Sequence, residues 1–220
     1  MQLVNDLVKF CHKVYEKEFV SAYDGNLSLR TKQNTILITR SAVCKGDVTP
    51  EDILEIDLSG KLISGQGKIT TEVKIHLLAY QHRTDINAVV HTHPPFATAF
   101  AAIGERIDRP VFPEVILSLG KIPLCKYGTP STNELPDSMK PHIDYAWAML
   151  LENHGAVTFG KNIEDAYYKT EKLEHAAKTL FIARALGREK ALPHTKLREL
   201  YNIASSVYGI SVDRKNRLDY

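Results

Sequence analysis

"INAVVHTHPPFATAFA", residues 86–101, decides how the rest of the chain is read. Its first half is an apolar, β-branched run of strand length, and its second half starts at the paired prolines Pro94 and Pro95. The pattern predicts a buried strand over 86–93 and a helix over 94–104 that begins at the prolines. His91 and His93 stand two apart in that strand, so they share one face and present two imidazoles with room for one ion between them. An HxH pair is often just an exposed strand pair. Here the run before it is apolar, and burying imidazole nitrogens without partners is costly.

Outward from this stretch the punctuation is regular. "TTEVKIHLLAYQHR" (70–83) reads as a helix with a threonine cap, Glu72 in its first turn, and apolar Val73, Leu77 and Tyr80. "KIPLCKY" (121–127), "AMLLENHG" (148–155) and "AVTFG" (156–160) read as strands, which places His154 where a strand meets a glycine turn. Upstream, Leu3, Leu7, Phe10, Cys11 and Val14 mark an amphipathic helix, and Asp24-Gly25-Asn26 a turn. "NTILITR" (34–40) is a strand, "TPED" (49–52) a helical turn capped by Thr49, and "ILEIDLSGKLISG" (53–65) a hairpin turning at Ser59-Gly60. Two helices close the chain, over 162–187 and 195–207. No repeat or linker interrupts the pattern, so the expectation is one α/β domain over residues 1–220.

Composition narrows the partners. Among 220 residues, 28 Lys and Arg nearly balance 26 Asp and Glu, leaving neither a basic face for nucleic acid nor an acidic tail. Charges run through the N-terminal segment, which is therefore neither a signal peptide nor a membrane span. Cys11, Cys44 and Cys125 lie far apart with no CxxC spacing and read as reduced thiols of a cytoplasmic protein.

Three neutral imidazoles, His91, His93 and His154, with one open or carboxylate position make the usual arrangement of a catalytic zinc, whereas a structural zinc more often takes thiolates. Such donors also accept manganese or cobalt. Taken singly, the neighbouring features have ordinary explanations. Glu72 complements a helix dipole, and Thr70 and Thr71 either cap that helix or offer an anion site at its N-terminus. His76, one turn after Glu72, could pack beside the site but reads first as structural, and Lys161 to Glu174 read as a solvated helix face with i,i+4 pairs.

Together, "GNLSLR" (25–30), "ITRSAVCKGDVTPEDIL" (38–54), "KITTEVKIHLLAY" (68–80), "INAVVHTHPPFATAFA" (86–101) and "LLENHGAV" (150–157) resemble, in order, the zinc-dependent class II aldolases of the fuculose-phosphate type. That superfamily includes ribulose-phosphate 4-epimerase and the adducin head domain, and the likeness runs from residue 20 to about 180. The resemblance implies a three-layer α/β/α sandwich around a central, mainly antiparallel sheet, assembled as a homotetramer with active sites between subunits. It implies that His91, His93 and His154 hold zinc, and that Glu72 is a fourth ligand in the empty enzyme and the acid/base when substrate displaces it. Gly25 with Asn26, Ser41 with Ala42, and Thr70 with Thr71 would cradle a sugar phosphate. The substrate would be a ketose 1-phosphate, fuculose-like or 5-deoxypentulose-like, cleaved to dihydroxyacetone phosphate and an aldehyde through a zinc-stabilised enediolate. No Schiff-base lysine is needed, so the lysines read as solvated surface groups.

This chain departs from the family pattern in three places. Arg40-Ser41-Ala42 stands where the family has proline and then a Ser/Thr-Gly pair, and Arg40 is expected to reach an anionic substrate. Ile69-Thr70-Thr71-Glu72 replaces Pro-Ser-Ser-Glu. "VFPEVILSLGKIP" (111–123) lacks the tyrosine that serves the aldehyde end, leaving Glu114, Tyr201, Tyr208 or Tyr220 as candidates, the tyrosines from this chain or a neighbouring subunit. The same segment has Ile116 where the 4-epimerases use an aspartate. The alternatives are 4-epimerisation or methylthiopentulose-phosphate dehydration on the same metal site, and a non-catalytic adducin-like interaction domain. Intact histidines and Glu72 argue against the last.

Overall fold

The structure is a computed structural model and describes residues 2–218. Helix α1 (Gln2–Glu16) comes first, burying Leu7, Phe10, Cys11 and Val14, and the meander β1 (Asn26–Arg30), β2 (Ile36–Thr39), β3 (Ile53–Ile56) and β4 (Leu62–Ser64) follows it. Next come α2 (Val73–His82), β5 (Ala88–Thr92), α3 (Pro95–Ala102), α4 (Pro113–Ser118), β6 (Leu124–Cys125) and α5 (Glu134–Ile143). The hairpin of β7 (Ala148–Leu151) and β8 (Gly155–Gly160) leads into α6 (Ile163–Ala185) and α7 (His194–Tyr208). All eight strands form one sheet in the order β4-β3-β2-β1-β5-β8-β7-β6, antiparallel except between β6 and β7.

Side-chain alternation along the strands builds the layers. Ile36, Ile38, Leu54, Ile56, Val89, Met149, Val157 and Phe159 face α2 and α5, meeting Ile75, Leu78 and Tyr80 of the one and Leu135, Met139 and Ile143 of the other. Residues of opposite parity, Leu27, Leu29, Ala88 and Val90, pack on α1 and the start of α6. Ala148, Leu150 and Ala156 pack on α3 and the rest of α6. The result is the expected α/β/α sandwich.

Two local expectations are corrected, and one helix forms where none was expected. Helix α2 starts at Val73 rather than at the threonines, with Glu72 at its N-cap position and no side-chain cap. Helix α5 forms despite Pro136 and Pro141, because Pro136 falls in the first turn, where no intrahelical N–H bond is lost, and Leu135, Met139 and Ile143 bury one face. Helix α6 is not solvated throughout the stretch up to Glu174: Tyr167, Lys169 and Glu174 are buried, and Lys169 Nζ bonds to Asp165 at 2.8 Å and to the Phe159 carbonyl at 3.0 Å. Among the described residues no helix is long and apolar enough to cross a membrane.

Ala42 has φ +57°, the left-handed region where a Cβ is unfavourable. Ala42→Gly is expected to raise the unfolding free energy by roughly 0.5–1 kcal/mol, the relieved strain being partly offset by the freedom glycine adds to the unfolded chain. Equilibrium denaturation of the two proteins checks this, and a less stable glycine variant would contradict it.

Candidate metal centre

The antiparallel pairing of β1 with β5 sets Asn26 opposite His91 and Ser28 opposite Val89, on the face covered by α2. Past the end of β5, the His93 N–H donates to the Phe19 carbonyl at 2.8 Å. Helix α3 then begins with prolines that have no N–H to satisfy, and its first two free amides, Phe96 and Ala97, donate to the Glu174 carboxylate at 2.9 and 2.8 Å. Glu174 of α6 thereby pins the exit from the HTH strand. His154 sits in the turn between β7 and β8. Two glycines allow the close approach. A Cβ on Gly155 would lie 2.5 Å from His93 Cδ2, and one on Gly25, which has φ +71°, would lie 2.8 Å from the His91 carbonyl oxygen.

The sequence-predicted ligands converge. One ligand atom from each of His91, His93 and His154 lies within 4.8 Å of the others, and the Nε2 atoms of His91 and His93 are 3.3 Å apart. Glu72 closes the group, with Oε1 3.0 Å from His154 Nε2 and Oε2 3.4 Å from His91 Nε2. His91 Nδ1 is 3.0 Å from the Ala156 carbonyl, which can only accept. The ring proton therefore sits on Nδ1, and the Nε2 lone pair points into the centre. Asp24 Oδ2 stands 3.7 Å from His93 Nδ1. Lone pairs facing one another at these distances repel, and a divalent cation among them would turn that repulsion into ligation. Three imidazoles and a carboxylate, with no thiolate, suit zinc in an open catalytic site.

Charge coupling tightens the cluster. Burial alone would raise the Glu72 carboxyl, but the facing His91 and His154 imidazoles hold it well below the usual carboxylate range. Burial opposes a charge on His91, and Glu72 overrides it, so that ring is pushed up. His93 is pushed down to about 3, first by burial and then by His91 and His154. His91 and His93 thus compete for one positive charge, which a bound metal would supply.

Of the residues expected to cradle a phosphate, Asn26 and Thr70 bond to Glu72 and Gly25 packs on the His91 carbonyl. Thr70 Oγ1 accepts from the Glu72 N–H at 3.3 Å and from Asn26 Nδ2 at 3.4 Å. The Asn26 amide is committed inward, because Nδ2 also donates to Glu72 Oε2 at 2.8 Å. The Ser41 N–H is taken by the Lys68 carbonyl at 2.8 Å, leaving its hydroxyl, while Ala42 and Thr71 are exposed and Gly25 is half-buried. Arg40 is turned to Asp52, Nε to Oδ1 at 2.6 Å, where direct contact with a substrate was expected. Lys45 contradicts the reading of the lysines as surface groups. Its Nζ is buried and donates to the Val43 carbonyl at 2.8 Å and the Tyr23 carbonyl at 3.4 Å, tying the loop of Ser41 and Ala42 to that of Gly25 and Asn26.

Among the candidates for the missing tyrosine, Tyr201 is buried and its hydroxyl accepts the Leu218 N–H at 3.0 Å. Tyr208 is exposed, and Tyr220 lies outside the described residues. Glu114 lines a cleft of about 670 Å³ with Phe112, Tyr168, Glu171 and His175, which none of the three converging histidines lines. Ile116 is a buried core residue, so the epimerase position holds no acid.

Two outcomes test the centre. After metal loading and desalting, His93→Ala is expected to keep far less than one ion per chain while its circular dichroism stays parental, and parental metal retention would remove the basis for the site. His76 supplies the second. Burial pushes its imidazole down to about 3, whereas the unfolded chain titrates near 6.5. Between those values the unfolded state binds more protons, so the metal-free fold loses roughly 1.4 kcal/mol per pH unit from this group as pH falls. His76→Gln should lessen the slope of unfolding free energy against pH by that amount across this window; an unchanged slope would contradict the assignment.

Residues 5–181 match the family described as Class II Aldolase and Adducin N-terminal domain. The chain is 38% identical over 183 residues to an L-fuculose phosphate aldolase of Methanococcus maripaludis, spanning 83% of this chain and 98% of that one. It is 33% identical over 182 residues to a 3-oxo-tetronate 4-phosphate decarboxylase of Pectobacterium atrosepticum, spanning 80% and 83%. The L-fuculose-1-phosphate aldolase structure from Thermus thermophilus superposes with a TM-score of 0.75 at 31% identity, covering 86% of this chain and 98% of that one. The chain belongs to the class II aldolase and adducin N-terminal domain family.

Proposed function

We propose that this class II aldolase is zinc-dependent and cleaves a ketose 1-phosphate, of the fuculose 1-phosphate or 5-deoxypentulose 1-phosphate kind, to dihydroxyacetone phosphate and an aldehyde. The observation that carries this reading is the Glu72 carboxylate set 3.0 Å from His154 and 3.4 Å from His91, inside a cluster of converging imidazoles. A binding domain without chemistry has no reason to hold such an arrangement.

His91, His93 and His154 would hold the ion, with Glu72 as the fourth donor until substrate arrives. Bound there, zinc supplies a Lewis acid for the charge that develops on the substrate's carbonyl and hydroxyl oxygens as the C3–C4 bond breaks. Glu72 handles the proton at C3: in condensation it would take that proton, and in cleavage it would return to C3 the proton that the C4 hydroxyl gives up as the C3–C4 bond breaks. Asn26 Nδ2–H keeps one Glu72 oxygen oriented while the other faces His154. Gly25, Asn26, Ser41, Ala42, Thr70 and Thr71 would receive the phosphate at the mouth, and Lys45 would hold the two loops of that mouth together.

Residues 1–220 act in this reading as one domain of a cytoplasmic homotetramer with active sites between subunits. Exposed Phe181, Ile182, Leu186 and Val207 on and just after α6 and on α7 support assembly, and three unpaired cysteines support a reducing compartment. The decarboxylase relative supports a second reaction from the same geometry, since losing carbon dioxide from a 3-oxo acid leaves the same kind of enediolate.

The test is product release from zinc-loaded protein offered a panel of ketose 1-phosphates and 3-oxo-tetronate 4-phosphate. Chelator-sensitive dihydroxyacetone phosphate from a ketose 1-phosphate is the expected result, and Glu72→Gln should lower its kcat by roughly 100-fold or more. Carbon dioxide from the oxo acid with no aldol cleavage would replace the aldolase reading with decarboxylation.

A further inference from the structure

We infer that His76 is a positioning residue for the reaction, holding the Asn26 amide in the one orientation that donates to Glu72. The inference rests on the reading of Glu72 as the acid/base and assigns a role to a residue outside the metal and phosphate sets.

The geometry is a closed chain of hydrogen bonds. Asn26 Oδ1 is 2.5 Å from His76 Nε2, His76 Nδ1 is 2.6 Å from Ser28 Oγ, and Ser28 Oγ is 2.7 Å from the Tyr80 hydroxyl. At the other end Asn26 Nδ2 is 2.8 Å from Glu72 Oε2 and 3.4 Å from Thr70 Oγ1. Tyr80, Ser28, His76 and Asn26 are all buried, so water cannot substitute for a missing partner.

The donors can be ordered only one way if Glu72 is ionised. The carboxylate accepts and cannot donate, so Asn26 must turn Nδ2 toward it and Oδ1 toward His76. His76 Nε2 must then carry the ring proton. That leaves Nδ1 as an acceptor, which the Ser28 hydroxyl fills, and Ser28 in turn accepts from Tyr80. Rotating the Asn26 amide by half a turn changes no shape but sets a carbonyl against the Glu72 carboxylate. Nothing in the size of the pocket prevents that rotation; the tautomer of His76 does. Burial keeps His76 and Tyr80 neutral, pushing the imidazole down to about 3 and the phenol well above its usual range, so the order persists across the working pH range. The chain ends at a buried tyrosine and leads to no solvent, which makes it an orienting device and not a proton conduit.

Nitrogen-15 NMR of the zinc-loaded, histidine-labelled enzyme reads the tautomer directly, with the His76 resonances identified by their loss in His76→Gln. The Nε2–H form is expected, and an Nδ1–H form would overturn the inference. In the aldol assay, His76→Leu should lower kcat about 10–100-fold with KM and zinc content near parental. His76→Gln, which keeps a donor toward Asn26, should recover most of that loss. A folded, zinc-loaded His76→Leu enzyme with parental kcat would overturn the role. Should the leucine variant fail to fold, Ser28→Ala withdraws the donor from Nδ1 with little loss of volume, and parental kcat with an unchanged tautomer would again overturn it. An inactive parent enzyme would sink the aldolase reading alone, and the tautomer would still decide the orientation of Asn26.

Discussion

The register between β1 and β5 is the constraint on which the rest of the structure depends. Setting Asn26 against His91 places an amide beside a ligand imidazole, and the period of two then brings Ser28 and Val89 to the same face. A slip of β1 by one residue would turn Asn26 and Ser28 away from His91 and Val89, toward α1 and α6. With that register fixed, α2 must cross the strands where Glu72, His76 and Tyr80 meet Asn26 and Ser28. Ligand geometry and the polar network beneath it are therefore consequences of one strand pairing. Gly25 and Gly155 serve the same end, since a side chain at either would push the neighbouring backbone or His93 away.

Burial is graded across the centre, and the gradient suits its chemistry. The His91 side chain is 0% exposed, Glu72 13%, His93 25% and Asp24 52%. The floor is buried, so its lone pairs and its carboxylate interact strongly, while His93 and Asp24 at the mouth reach solvent. Charges buried elsewhere in the fold likewise have fixed partners. Glu174 accepts two α3 amides, Arg83 pairs with Asp85 at 2.6 Å, and Lys169 lies 3.7 Å over the Trp147 ring. Each holds an element bordering the sheet in place by satisfying a buried charge rather than by added apolar area.

What could be read from the sequence was what lies close along it. His91 and His93 are two residues apart on a strand whose burial the preceding apolar run announces; the alternation of strands and helices foretold an α/β domain, and the family resemblance implied its three layers. The network under the site is invisible by that route. Ser28 and His76 are separated by 48 positions, and Asn26 and His76 by 50, so His76 looks like one more polar residue on a helix until the sheet is assembled. Lys45 and Glu174 mislead for a related reason. Charged residues in polar neighbourhoods read as solvated, and only the fold reveals the backbone groups that draw them inside. Helix α5 was missed because Pro136 and Pro141 punctuate its sequence, whereas its apolar face is set by packing on α2.

The departures from the family pattern divide along the same line between backbone and side chain. Ala42 keeps a left-handed backbone, φ +57°, so the loop it shares with Ser41 retains the shape a glycine would give at the cost of some strain. Arg40 turns away to Asp52, whose carboxylate also takes the Thr49 N–H at 2.9 Å and so braces the turn before β3. These changes preserve the cradle as a piece of main chain and alter what surrounds it. The segment after α3 differs in kind: Ile116 and Tyr201 are packed into the cluster that seats α7, and an aliphatic core fills the place of an acid. Residues 111–123 carry no tyrosine, and their one acid, Glu114, lines a cleft that none of the three converging histidines lines.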